Sequence, residues 1–226
     1  HADPVEPADP VAGQVAVEAD HMTGVGSERL RAEGRVVAVR DGERVEADWL
    51  EYFQLRQRVR AGDHVRMTRG QDTLTGQALD YSMEDSQGTL DNADIYRNQP
   101  GRRGAPGYRA AGAQVRMIGE DRYVISQSRF TTCEPGRDDW YVRANQMDID
   151  YAGNVGVARN AWIEFKGLPL MYTPWIDFPL QEKRKSGLLA PTVKLGGGNG
   201  FEFAQPYYLN LAPNYDATVI PRVLSR

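Results

Sequence analysis

No stretch of this 226-residue chain approaches the ~18 consecutive apolar residues of a membrane-spanning helix, so any passage through a bilayer would have to be made by β-strands. Cysteine is almost absent: Cys133 alone cannot build a disulfide framework within the chain, and its plainest role is that of a small half-buried hydrophobe. Histidine is scarce too. His1, His21 and His64 stand in unrelated contexts without Cys, Asp or Glu at a metal-ligating spacing, so no metal is expected. A basic excess is missing, with 27 Lys and Arg against 31 Asp and Glu and a net charge of -4, which argues against a nucleic-acid partner. Helical periodicity is rare because 23 Gly and 13 Pro interrupt the chain, and Leu50 to Val59 is the best helical candidate. Residues 1–13, rich in Pro, Ala and Asp, lack the charged and apolar regions of a signal peptide and read as a disordered lead.

Catalytic patterns are missing as well. There is no Gly-x-Ser-x-Gly elbow, and no histidine lies near Cys133 in sequence. Asp138-Asp139 and Asp148-x-Asp150 are poor acid and base pairs: neighbours on a strand point to opposite faces, and acids two apart are commonly solvated edges. Gly196-Gly-Gly-Asn-Gly200 lacks the Lys-Ser/Thr of a phosphate loop and reads as a turn. The chain is expected to be no enzyme and to carry no cofactor.

What is present is alternation. Val15, Val17 and Ala19 oppose Gln14, Glu18 and Asp20, as on a strand with one apolar face. A loose repeat of 28 to 29 residues brings Val17-Glu-Ala-Asp20 back as Val45-Glu-Ala-Asp48, and more faintly as Leu74-Thr-Gly-Gln-Ala78. At an offset of 29, Leu30 meets Val59, Ala32 meets Ala61, Val36 meets Val65 and Ala38 meets Met67, which keeps one face apolar. Such strand pairs cannot bury that face alone, so they must stack into a continuous sheet or a folded, two-walled roll. Asn98 to Tyr108 is a Gly/Pro loop. Further strands are expected at Gln114 to Ile118, Arg122 to Ser126, Trp140 to Ile149 and Asn160 to Phe165. After Pro179 the pattern changes to a hairpin, with Phe201 to Leu211 as one strand and its other partners beyond residue 226.

The C-terminal half carries a resemblance. Phe130-Thr-Thr-Cys133, Gly167-Leu-Pro169, Tyr172-Thr-Pro174, Phe178-Pro-Leu180, Arg184-Lys-Ser-Gly187, Leu189-Ala-Pro191 and Gln205-Pro-Tyr-Tyr-Leu-Asn-Leu-Ala-Pro-Asn-Tyr-Asp216 resemble the lipopolysaccharide-assembly family LptD of Gram-negative bacteria. The earlier repeats look like the OstA-type strands of the same family. The resemblance implies an all-β fold: an open, V-shaped β-jelly-roll of stacked antiparallel strands over residues 14–178, then the first hairpin of a truncated outer-membrane β-barrel over 179–226. It also implies lipopolysaccharide transport at the outer membrane, with this part mainly periplasmic. Acyl chains would be shielded in the roll, because each buried methylene is worth ~0.8 kcal/mol.

On this reading the lipid-facing wall is Val17, Ala19, Val36, Ala38, Val45, Ala47, Val65, Met67, Leu74, Ala78, Leu90, Val115, Met117, Ile149, Ile163 and Phe165. The edge strand at Gln14 to Asp20 would accept a strand of the bridge protein LptA, and the lipoprotein LptE would plug the full barrel. Pro191 and Pro206 match family prolines that weaken a lateral gate, since proline cannot donate to a ladder. Cys133 matches a family cysteine bonded to one near the barrel's C-terminal end. The rival reading is a β-solenoid or adhesin-like carbohydrate-binding protein with a dry core.

Overall fold

The computed structural model describes residues 13–26, 28–97, 107–133, 136, 139–180, 187–188, 192–195, 201–212 and 215–225. The expected disordered lead and most of the 98–108 loop lie outside them. Up to residue 180 the described chain is one antiparallel meander of β1 (Ala16–Glu18), β2 (His21–Val25), β3 (Arg29–Arg40), β4 (Glu43–Phe53), β5 (Arg58–Arg69), β6 (Asp72–Ser82), β7 (Gln87–Arg97), β8 (Tyr108–Met117), β9 (Arg122–Thr131), β10 (Trp140–Asp150), β11 (Val155–Phe165) and β12 (Leu168–Pro179). From β2 onward each strand pairs with the next in sequence, and β1 pairs with β3 as well. Among the described residues the two ends of this 12-stranded sheet do not pair with each other, so the sheet stays open. The candidate helix at Leu50 to Val59 is instead the end of β4, a 3-10 turn at Gln54–Arg56, and the start of β5. Gln57, at φ 44, closes that turn in the left-handed region.

The strands do not run straight. Midway along them lies a line of residues at positive φ: Gly34 and Arg35, Asp63 and His64, Asn92, Gln127, and Asn160. Asn, Asp and His tolerate this region better than other non-glycine residues, so the sequence supplies permissive side chains at most of these points. The register slips there, between Glu33 and Val36, Glu46 and Trp49, and Gly62 and Val65. One extra residue in a strand bends it and exchanges its faces. The buried positions record this. Val45 and Ala47 give way to Leu50, Leu74 to Leu79 and Tyr81, Val142 and Ala144 to Met147 and Ile149, each with a change of parity. In β3 and β5 two successive left-handed residues restore the parity, which keeps Val36 and Val65 in step with Ala32 and Ala61.

This crease folds the sheet into two walls with their apolar faces together. Residues 36–40, 43–47, 65–69, 72–75, 93–97, 108–111, 128–131, 140–144 and 161–165 form the first wall. The second holds 29–33, 49–53, 58–62, 78–82, 87–91, 114–117, 122–126, 146–150 and 155–159. Outside the crease, polar side chains from neighbouring strands meet in a ladder. Arg35 donates to Asp20 at 2.6 Å, His64 Nδ1 meets Asp48 at 2.8 Å, and Asn92 donates to Gln77 at 2.7 Å. The members of each column stand 28 or 29 residues apart, so the sequence repeat is one hairpin of the roll. His64 is thus a mid-strand crease residue partnered by Asp48.

Beyond the roll, β13 (Gly187–Leu188), β14 (Thr192–Leu195), β15 (Phe201–Ala204), β16 (Tyr207–Ala212), β17 (Tyr215–Val219) and β18 (Arg222–Ser225) form two three-stranded sheets, β13-β16-β17 and β14-β15-β18. The expected hairpin is present, with Thr192 opposite Ala204 and Leu195 opposite Phe201. Two expectations are corrected. A third strand partner, 215–225, lies within the chain, and Phe201 to Leu211 is not one strand but is broken at Gln205-Pro206. The third strand breaks at the same level, at Ile220-Pro221, where the Gln205 N–H donates to the Pro221 carbonyl at 3.2 Å.

Candidate functional site

The interior between the walls is one apolar cluster. It takes in Val36, Ala38, Val45, Ala47, Val65, Met67, Leu74, Leu90, Val115, Met117 and Ile149, with Val17 and Ala19 packed against its open end. Ile163 is buried and Phe165 is half-buried. Ala78 is the exception: it is exposed, because the face exchange in β6 turns Leu79 and Tyr81 inward. The sequence reading missed other large interior side chains, including Leu50, Leu79, Ile95, Tyr123, Ile125 and Met147. The signal was the shift of alternation by one residue in mid-strand.

Over its middle strands this interior is filled by its own side chains, with Val45, Met67, Leu74, Leu90 and Val115 all at 0% exposure. That differs from a trough standing open along its length. Open space adjoins it at the first-strand end, where a cavity of about 380 Å³ is lined by Val15, Val17, Leu30 and Tyr52 together with Gly24, Glu28 and Arg29.

Opposite the crease, the hairpin tips of the two walls meet along a seam, and the contacts across it are polar and aromatic. Arg40 donates to Gln57 at 2.7 Å, and the Tyr81 hydroxyl lies 2.9 Å from both Glu43 carboxyl oxygens. Arg69 crosses to the carbonyls of Gly119 and Glu120, each at 3.1 Å, and to the Tyr123 hydroxyl at 2.8 Å; that hydroxyl donates in turn to Asp72 at 2.8 Å. The Arg97 guanidinium lies 3.5 Å over the Tyr151 ring, and Phe130 meets Phe178 at 4.9 Å between centroids. Burial pushes the Glu43 and Asp72 carboxyls and the Tyr123 hydroxyl above their ordinary pKa ranges. Burial opposes the charge of Arg69, yet the facing tyrosine oxygens of Tyr123 and Tyr81 hold its pKa above the usual value.

β1 falls within the expected edge strand of Gln14 to Asp20 and, among the described residues, pairs on one side only, Val17 opposite Ala38. Pro206 sits between β15 and β16, while Pro191 lies outside the described residues. Cys133 is half-buried, its N–H donating to Thr131 Oγ1 at 3.0 Å. No group of His, Cys, Asp and Glu among the described residues forms a metal cluster.

A creased, unclosed antiparallel sheet with an apolar interior defines an open jelly-roll. No protein-family model matches the chain. Curated relatives include the LPS-assembly protein LptD of Chromobacterium violaceum, 48% identical over 97% of this chain, and that of Thiobacillus denitrificans, 39% identical over 96%. The LptD of Neisseria gonorrhoeae is 38% identical over 92%. The chain is a homologue of the LPS-assembly protein LptD family, and it matches a segment of its members. It spans 29%, 29% and 25% of these three relatives.

Proposed function

We propose that this chain is the lipid-conducting part of a lipopolysaccharide-assembly protein at the outer membrane, with residues 14–178 as a periplasmic roll and 179–226 as the start of a transmembrane barrel. The observation that carries the reading is an apolar interior running through an unclosed sheet and ending in a cavity beside its free first strand, in a chain homologous to LPS-assembly proteins. Acyl chains enter at Val17 and pass between the walls while the sugars remain outside the seam.

Because the interior is filled at rest, passage requires the walls to part. An acyl chain of about ten methylenes regains about 8 kcal/mol on burial, enough to replace a few large side-chain contacts at about 1.5–3 kcal/mol each. The polar seam is the natural line of parting, since its groups can exchange partners with water, whereas the crease is continuous backbone. The free edge at β1 receives a strand of LptA by β-augmentation. Pro191 and Pro206 weaken strand pairing at a lateral gate, LptE plugs the completed barrel, and Cys133 bonds outside this segment.

Photo-crosslinkers at Val17, Val36 and Val65 are expected to capture lipopolysaccharide, and one at Arg35, exposed outside the crease, is not. Equal capture on both faces contradicts the reading. The rival carbohydrate-binding reading draws on the filled interior, and it predicts no interior capture at all.

A further inference from the structure

We propose that the outer face of the first wall carries a groove for an anionic saccharide, a phosphorylated sugar of the same amphiphile whose tails the interior takes; this rests on the lipid-transport reading. The groove has a volume of about 520 Å³, within the range of about 300–1,000 Å³ of small-molecule sites, and crosses β5 to β10. Its shape follows from side-chain size along two cross-strand rows. One row reads Arg66, Thr75, Asp94, Ala111, Arg129 and the other Thr73, Tyr96, Arg109, Thr131. Threonines and Ala111 make a low floor between taller arginines and tyrosines.

The charge pattern points to the ligand. Elsewhere on the outer surface Arg35, Arg58, Arg122 and Arg143 are each held by a carboxylate. Arg66 and Arg129 have no such partner among the described residues, and Arg129 instead lies 4.1 Å over the Tyr141 ring. Asp94 is the one carboxylate among the lining residues, facing the guanidiniums of Arg66 and Arg129. Guanidinium forks match phosphate oxygens, threonine hydroxyls serve sugar hydroxyls, and tyrosine rings offer flat apolar faces to a pyranose. Gln71, at the tip between β5 and β6, also lines the groove and places one end of it at the seam. A sugar leaving the seam with its tails inside therefore reaches this surface by folding over the rim of the first wall.

The test is calorimetric titration of the full chain with three probes: a phosphorylated core oligosaccharide from deacylated lipopolysaccharide, the same oligosaccharide dephosphorylated, and inorganic phosphate. The phosphorylated oligosaccharide is expected to bind, with Arg66→Gln and Arg129→Gln each weakening it by about ten-fold. Arg122→Gln, on the outer face of the second wall, is expected to leave binding unchanged. All three are surface positions, and unchanged Tm confirms that they fold. Equal binding of the dephosphorylated probe, equally tight binding of inorganic phosphate alone, or wild-type affinity in both groove variants overturns the proposal. The probes have no acyl chains, so failure here leaves the interior reading standing, and failed capture at Val17 leaves the groove standing.

Discussion

At the scale of single residues, the crease and the seam depend on side chains doing opposite jobs. His64 holds a left-handed backbone at φ 53 and uses its ring to reach Asp48. The hydrogen bond to that carboxylate raises the imidazole pKa above its ordinary value. A raised pKa means that the contribution of the charged ring to stability is full below the free imidazole value of about 6.5 and fades as pH rises through the folded value. Titration of the His64 ring by NMR is expected to give a midpoint above the ordinary value, and Asp48→Asn should bring it back down. At the seam, Glu43 is an acid whose burial opposes ionisation, so its contribution to stability falls as pH climbs through its raised pKa. Glu43→Gln is expected to leave stability at pH 7 unchanged or higher. Tyr81→Phe, which removes only the crossing hydroxyl, should lower stability by about 1 kcal/mol in urea denaturation. Arg69→Met removes the charge from a buried network and should lower stability by about 3 kcal/mol.

At the scale of strands, the bend is what turns a flat meander into two walls. Asn92 and Asn160 take their left-handed conformations at φ 47 and 49. A β-branched residue is poorly suited to that region, so Asn92→Val is expected to lower stability by about 1–2 kcal/mol, while Asn92→Gly should be nearly neutral. Comparison of their denaturation midpoints checks this.

The same bend sets the limit of what the sequence made legible. Where two left-handed residues preserve the parity, as at Gly34-Arg35 and Asp63-His64, counting by twos along β3 and β5 places the interior correctly, from Ala32 to Ala38 and from Ala61 to Met67. Where one residue is inserted, the count goes astray: Ala78 keeps the parity of Leu74 but faces solvent, and Leu79 takes the inner position. In the C-terminal sheets the breaks come with Pro206 and Pro221, 15 residues apart and a further 15 beyond Pro191. Pro221 became significant once the register showed its level beside Pro206. The seam left no trace in sequence pattern, because it joins hairpin tips whose meeting depends on the crease.

At the scale of the whole molecule, an unclosed sheet, filled within and held along one side by polar contacts, would under the proposed function have to be unclasped to take in a lipid tail. Holding the seam shut while leaving the crease untouched isolates that property. In a Cys133→Ser background, cysteines placed at Arg40 and Gln57, whose side chains meet across the seam at 2.7 Å, can be joined by a short bismaleimide. The decisive measurement is lipopolysaccharide capture by a photo-crosslinker at Val65, in mid-interior, before and after joining, with Val17 at the cavity as reference. The account predicts that joining abolishes capture at Val65 and spares it at Val17. Equal capture at Val65 with the seam joined and unjoined, or none at Val65 in either state, would contradict it.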